Sequence, residues 1–282
     1  MRVLALLDGT LADPDNPLIR VDDLVVMRGD GIFETVLVVD GQPRELGPHF
    51  DRLVRSAAML DLPEPSRAAF DRATQAVLDN WTGGSEIALK WVYTRGIEGG
   101  DGTPTGFALG LEIAEKVKRQ RASGISAVTL DRGFDATAAE RAPWLLLGAK
   151  TLSYAVNMAA LREAERRGAE EVIFTTSDGA VLEGPTSTLI AVSGRTLRTP
   201  PATIGILPGT TQAALFRAAE REGWSIKTEP IQAAELPTAD GIFLASSVRK
   251  ITRVHTLNGI QLPDSTPLHT ELVRLYNSEY AS

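Results

Sequence analysis

The sequence predicts a two-domain protein of mixed α+β and α/β character. A small α/β domain is expected over residues 1–120 and a larger β-rich domain with helices over residues 121–282. Three observations carry that expectation. Strand-like apolar runs alternate with helical periodicity in the first third of the chain. A charged, apolar-poor stretch follows at Glu115-Lys116-Val117-Lys118-Arg119-Gln120-Arg121. Beyond Gly124 the chain is dominated by short apolar runs separated by Gly-containing turns. At 282 residues it is long enough for two domains with cores of their own.

The elements follow in order. Residues 3–7 and 36–39 read as strands, the second closed by an Asp40-Gly41 hairpin turn. Residues 48–60 set Phe50, Leu53, Ala57 and Leu60 on one helical face. A second helix over 66–81 stops at Gly83-Gly84, and 86–93 and 107–113 read as strands. The charged stretch 115–121 is the expected linker. After it come a strand over 125–130 and a helix over 150–167 with Gly168 at C′ and a Glu163–Arg167 pair one turn apart. Residues 171–176 and the run leading to Glu183 flank the turn Ser177-Asp178-Gly179. Short strands over 189–192 and 196–199 surround Ser193-Gly194. A helix over 211–221 ends before Gly223, and strands over 242–245 and 251–255 precede an Asn258-Gly259 turn.

Composition narrows the function. Hydrophobic residues make up 43% and charged residues 23%, as in an ordinary soluble globular protein. A net charge of −7 without a run of basic residues argues against nucleic acid, while a few local arginines suit a small anionic substrate. The absence of cysteine excludes disulfides, thiolate metal sites and cysteine nucleophiles. His49, His255 and His269 lie far apart, so no metal site is expected. No apolar run reaches the length of a membrane span, and the apolar start meets Asp8 too soon for a signal peptide; a cytoplasmic protein is expected.

Several segments carry chemistry. Lys150 ends the apolar run Trp144-Leu145-Leu146-Leu147-Gly148-Ala149. An apolar strand end desolvates the amine and favours its neutral, nucleophilic form; the alternative is a solvated lysine at a strand end. In Gly205-Ile206-Leu207-Pro208-Gly209-Thr210-Thr211 the glycines permit close backbone approach, and the threonines open a helix whose N–H groups favour an anion. A simple threonine N-cap would use the same residues. Glu183, before Gly184-Pro185, suits pairing with a protonated ring nitrogen or plain solvent exposure. Arg52, three residues after His49 on one helix face, suits a phosphate or a surface ion pair. Ser246-Ser247 offers hydroxyl donors after an apolar strand.

Taken together these segments resemble the fold-type IV pyridoxal-phosphate enzymes, which include branched-chain aminotransferases, D-amino-acid aminotransferases and 4-amino-4-deoxychorismate lyases. The resemblance starts at Arg28-Gly29-Asp30-Gly31-Ile32-Phe33-Glu34-Thr35. It continues through His49-Phe50-Asp51-Arg52-Leu53, Lys150-Thr151-Leu152-Ser153-Tyr154, Glu183-Gly184-Pro185-Thr186-Ser187, Leu207-Pro208-Gly209-Thr210-Thr211 and Ser246-Ser247, and so covers nearly the whole chain. It implies pyridoxal 5′-phosphate as cofactor, a site between the two domains and a homodimer. It implies that Lys150 holds the cofactor and shuttles a proton, that Glu183 faces the pyridine nitrogen and that Tyr154 lies near the phenolic oxygen. Arg52, Gly209, Thr210, Thr211, Ser246 and Ser247 would serve the phosphate and Leu207 the ring. Thr188 departs from the asparagine more common there, with an expected effect on local hydrogen bonding.

Within the family the chain resembles the lyases more. Thr94-Arg95-Gly96-Ile97-Glu98-Gly99-Gly100 lacks the arginine and histidine that follow this point in D-amino-acid aminotransferases. Arg249 falls where an acid is common, and Arg28 replaces a frequent tyrosine. Arg28, Arg95 and Arg249 are thus the expected substrate-binding residues for a dicarboxylate. The resemblance implies a lyase forming 4-aminobenzoate and pyruvate on the route to folate; the alternative is an aminotransferase of D-amino acids or branched-chain amino acids.

Overall fold

A computed structural model describes residues 1–280, and the chain forms two compact units. The first comprises Met1–Ala114 together with Ala149–Tyr154; the second comprises Glu115–Gly148 and Ala155–Ser282.

The first unit contains β1 (Arg2–Leu6), β2 (Leu11–Ala12), α1 (Leu24–Arg28), β3 (Gly31–Val39), β4 (Gln42–Pro43), α2 (Leu46–Met59), α3 (Arg67–Asp79), β5 (Glu86–Thr94) and β6 (Gly106–Glu112). Its strands form one antiparallel sheet in the order β2-β1-β6-β5-β3-β4. The Asp40-Gly41 turn joins β3 to β4 with both residues at positive φ, as a two-residue hairpin of this hand requires. Phe50 and Leu53 of α2 are buried, as are Phe70 and Val77 of α3, in line with the helical spacing. Phe50 and Phe70 meet Trp91 of β5 at centroid distances of 6.3 and 5.5 Å, and Trp91 donates to Thr74 Oγ1 at 2.9 Å.

The second unit contains α4 (Glu115–Ser123), β7 (Ile125–Asp131), α5 (Ala138–Arg141), α6 (Ala155–Arg166), β8 (Glu171–Thr175), β9 (Thr188–Ser193), β10 (Thr196–Thr199), α7 (Thr210–Arg221), β11 (Ser225–Thr228), β12 (Gly241–Ser246), β13 (Lys250–Leu257), β14 (Ile260–Gln261) and α8 (Thr266–Ser278). Its mixed sheet runs β11-β10-β9-β12-β13-β7-β8, with β14 beside β13. Strand β12 shows why its sequence reads as unbroken apolar. Phe243 and Ala245 join the cluster with Leu215 of α7 and Leu272 of α8, while Ile242 and Leu244 join the opposite cluster with Ile125 and Leu189. A strand buried on both faces has no polar face to show.

Two expectations are corrected, and a third takes a different form. The charged stretch 115–121, expected as the linker, is most of α4 and opens the second unit. Good helix formers and a Glu115–Lys118 pair at 2.7 Å make it helical although only Gln120 is buried. The apolar run before Lys150 is not a strand: Pro143–Leu145 form a 3₁₀ turn, Leu146 and Gly148 have positive φ, and Trp144 is 74% exposed. The helix expected from 150 begins at Ala155, because residues 150–153 are engaged in backbone bonds to residues 29–33. Gly168 does take the left-handed conformation after α6, and Arg167 pairs with Glu163 at 2.8 Å. Helix α8 and strand β11 were not anticipated.

Candidate active site

In the first unit, Lys150 is fixed by its backbone. Its carbonyl accepts from Phe33 N–H at 3.1 Å, its N–H donates to Ser56 Oγ at 3.1 Å, and Thr151 bridges Ile32 antiparallel. Leu152 N–H donates to Gly31 O at 2.8 Å, and Ser153 Oγ donates to Gly29 O at 3.0 Å. Residues 29–33 therefore act as a template along which the lysine segment is laid. Glycine is needed in that template. A Cβ on Gly29 would lie 2.7 Å from Ser153 Oγ, and one on Gly31 would lie 2.9 Å from both Leu152 Cδ1 and Tyr93 O. The Lys150 Nζ sits over the Phe33 ring, 4.4 Å from its centroid, and 5.9 Å from that of Tyr154, whose ring meets Phe33 edge-on.

Beside this segment lies a fully buried acid that the sequence reading left without a role. Ile32, Glu34 and Val36 share the inward face of β3, and Glu34 meets α2 there. Arg52 donates from Nε to Glu34 Oε1 at 2.6 Å and from an Nη to Oε2 at 2.7 Å; His49 Nδ1 stands 2.8 Å from Oε2. Burial opposes the Glu34 charge, but Arg52 and His49 outweigh it and hold the carboxyl well below its usual range. Burial, aided by the charges of Arg52 and Lys150, pushes His49 below its ordinary value against the pull of Glu34, so the ring is neutral near pH 7 and its Nδ1–H donates to the carboxylate. Arg52 is thus neither exposed nor paired on the surface; Glu34 holds it by a two-bond fork.

The other two arginines of this unit differ from one another. Arg95 pairs with Asp30 at 2.6 Å and donates to the carbonyls of Leu60 and Asp61, so it caps the end of α2. Arg28 is largely exposed, with Glu98 at 3.8 Å.

In the second unit, the expected acid and the expected anion cup meet. Glu183 Oε1 accepts from Leu207 N–H at 3.1 Å, and its backbone pairs with Phe174. Gly209 is the N-cap of α7 and, being glycine, gives it no side-chain cap. Thr210 and Thr211 are therefore its first two helical residues, both buried, which sets aside the threonine N-cap. Gly209 is required sterically: a Cβ there would lie 2.2 Å from Thr188 Oγ1. The departure at Thr188 therefore acts through contact with the cup. Gly209→Ala is expected to cost about 1–3 kcal/mol through this overlap, and Thr188→Ala in the same chain should recover much of it; urea midpoints of the three variants measure both. The start of β9 pairs with the end of β12, Thr188 opposite Ala245, so Ser246 and Ser247 lie one and two residues beyond that pairing. Arg249 is the departure from expectation. It is 8% exposed, forms an ion pair with buried Glu171 and donates to Ser187 Oγ at 3.1 Å, so it is not a solvent-facing arginine free for substrate.

In the first unit an amine lies against aromatic rings, and in the second a carboxylate is seated by a backbone N–H beside a helix start of glycine and two threonines; each is a kind of group that suits a pyridine aldehyde bearing a phosphate. The chain belongs to the amino-transferase class IV family, whose model matches residues 31–257. It has the fold-type IV aminotransferase fold and is a pyridoxal-phosphate-dependent enzyme. A bifunctional aminodeoxychorismate lyase / D-amino acid transaminase of Mycobacterium tuberculosis is 43% identical over 289 residues, spanning 99% of each chain. A hypothetical aminotransferase of the same organism, solved in a pyridoxal-phosphate-bound form, matches with a TM-score of 0.95 at 43% identity over 99% of this chain and 98% of that one. A fold IV transaminase from Curtobacterium pusillum matches with a TM-score of 0.93 at 43% identity, over 98% and 99% of the two chains.

Proposed function

We propose that the protein is a lyase that converts 4-amino-4-deoxychorismate to 4-aminobenzoate and pyruvate on the route to folate. The observation that carries this reading is the 43% identity, over 99% of both chains, to a relative named for that lyase reaction. The same name couples the lyase to a D-amino acid transaminase, and that favours D-amino acid transamination as a second activity of the same residues. Of the three arginines that suggested a dicarboxylate substrate, Arg28 remains the one for that role, being exposed and only distantly paired.

When bound, pyridoxal phosphate supplies a ring that draws electrons from the carbon bearing the substrate amine. Lys150 would hold the cofactor through its amine, release it to the incoming substrate amine, and take the proton from the amine-bearing carbon. The same lysine would return a proton as the enolpyruvyl group departs as pyruvate, and aromatisation drives the product side. Glu183 would pair with the pyridine nitrogen, Tyr154 with the phenolic oxygen, and Leu207 would pack on the ring. Arg52, Gly209, Thr210, Thr211, Ser246 and Ser247 would bind the phosphate. Arg52 fits because Glu34 fixes its guanidinium plane.

The proposal includes a homodimer in the cytoplasm. Exposed Val26 and Met27 on α1 support an association surface, and among the described residues no helix is long and apolar enough to cross a membrane. Sedimentation of the cofactor-loaded protein tests the dimer.

Incubating the loaded protein with 4-amino-4-deoxychorismate and no keto acid should yield fluorescent 4-aminobenzoate over many turnovers, because elimination needs no amino acceptor. A loaded protein that makes none, yet transfers the amine of D-alanine to a keto acid, would leave the transaminase as the sole function.

A further inference from the structure

We propose that Arg249 is a positioning residue for the cofactor phosphate, acting through Ser187 on the turn after Glu183 and on the Thr188–Gly209 contact at the start of α7. The inference rests on the assignment of Gly209, Thr210 and Thr211 to the phosphate made above.

Arg249 ends the three-residue connection between β12 and β13, where Lys250 takes a positive φ to re-enter the ladder. Its guanidinium is buried against Glu171, the first residue of β8, itself 1% exposed. Two opposite buried charges satisfy one another, so this arginine presents no unbalanced charge to an anion. What it gives the site is geometry. An Nη donates to Ser187 Oγ at 3.1 Å, and Nε is buried without a hydrogen-bond partner among the described residues. The guanidinium is therefore directed by the carboxylate and the hydroxyl rather than by a full set of donors' partners.

Ser187 sits where two parts of the second unit are tied. Its backbone closes a tight turn with Gly184, whose N–H donates to Ser187 O at 2.8 Å. Its hydroxyl lies so close to Gly184 that a Cβ there would be 2.5 Å away. Gly184 follows Glu183, the carboxylate that receives the Leu207 N–H. On the other side Ser187 precedes Thr188, whose Oγ1 fills the space beside Gly209. A displacement of Ser187 is passed by rigid contacts to the residue before α7, and a phosphate held by backbone N–H groups tolerates only small displacements.

Two variants test this. Ser187→Ala removes the acceptor and keeps the buried ion pair. Arg249→Met combined with Glu171→Met removes both charges together, which avoids stranding one of them. Each is titrated with pyridoxal phosphate and with pyridoxal, which lacks the phosphate, following visible absorbance, with circular dichroism to confirm the fold. The expected result is a loss of affinity for pyridoxal phosphate of about tenfold, as when a hydrogen bond supporting a ligand-binding group is removed, with pyridoxal affinity little changed. Folded variants that keep the wild-type preference for the phosphorylated compound would overturn the role of Arg249. A wild-type protein with no such preference would instead overturn the phosphate assignment, and the inference with it.

Discussion

Replacing Lys150 by alanine is expected to abolish the proposed formation of 4-aminobenzoate and to leave the fold in place. The two halves of that result come from different atoms. The backbone of Lys150 makes the structural bonds, to Ser56 Oγ and Phe33 N–H, and alanine retains them. Truncation removes the contact of Nζ with the Phe33 ring, worth about 0.5–2 kcal/mol, so the urea midpoint moves little. Activity loses both the group that would hold the cofactor and the one that would move the proton. The proton-transfer part alone is worth roughly 10²–10⁴ in rate. Borohydride treatment of the loaded wild type should fix a pyridoxyl mass on the peptide containing Lys150, and the variant should show none. Substantial turnover by a folded Lys150→Ala protein would sink the assignment of this lysine.

Much of this was legible because it was local. Helix α2 carries Phe50, Leu53 and Ala57 at spacings that only a helix puts together, and the turns at Asp40-Gly41 and Asn258-Gly259 need the positive φ that their residues adopt readily. Glu183 and the segment 205–211 stood out as candidates for chemistry, although nothing in their spacing says that Leu207 N–H seats the carboxylate. What was not legible depends on partners distant in sequence. Lys150 looked like the end of a strand since six apolar residues precede it; its true support comes from residues 29–33, more than a hundred positions away. Arg249 looked available for a substrate because it falls where an acid is common, and nothing in the local sequence says that the distant Glu171 lies against its guanidinium. Glu34 did leave a signal: an acid in phase with Ile32 and Val36 on a strand's apolar face calls for a buried cation.

That acid carries the largest expected effect on stability. Glu34→Gln leaves the Arg52 guanidinium buried without its counter-charge, at a cost of roughly 3–5 kcal/mol, a large part of the margin of an ordinary domain. The loss depends on pH in a fixed direction. Glu34 has a folded value held far below the usual 4.5, so the unfolded chain takes up its proton first as pH falls, and the stability it contributes is present above about 4.5 and drains away below it. His49 adds a separate leg. Its folded value lies under 6.5, so below that pH the unfolded chain binds a proton that the folded one refuses, and stability again falls with acidification. The Gln variant removes the lower leg and deepens the upper one, because His49 then loses the pull of Glu34. Urea unfolding of the two proteins at a series of pH values should therefore show a gap that is large at neutrality, widens as pH falls from about 6.5, where His49 of the variant has lost the pull of Glu34, and stops widening below about 4.5, where protonation begins to take from the wild type what the substitution takes from the variant. A gap that stays constant across that range would mean that the ion pair with Arg52 contributes nothing specific, and that Glu34 fills space on β3 rather than fixing the arginine.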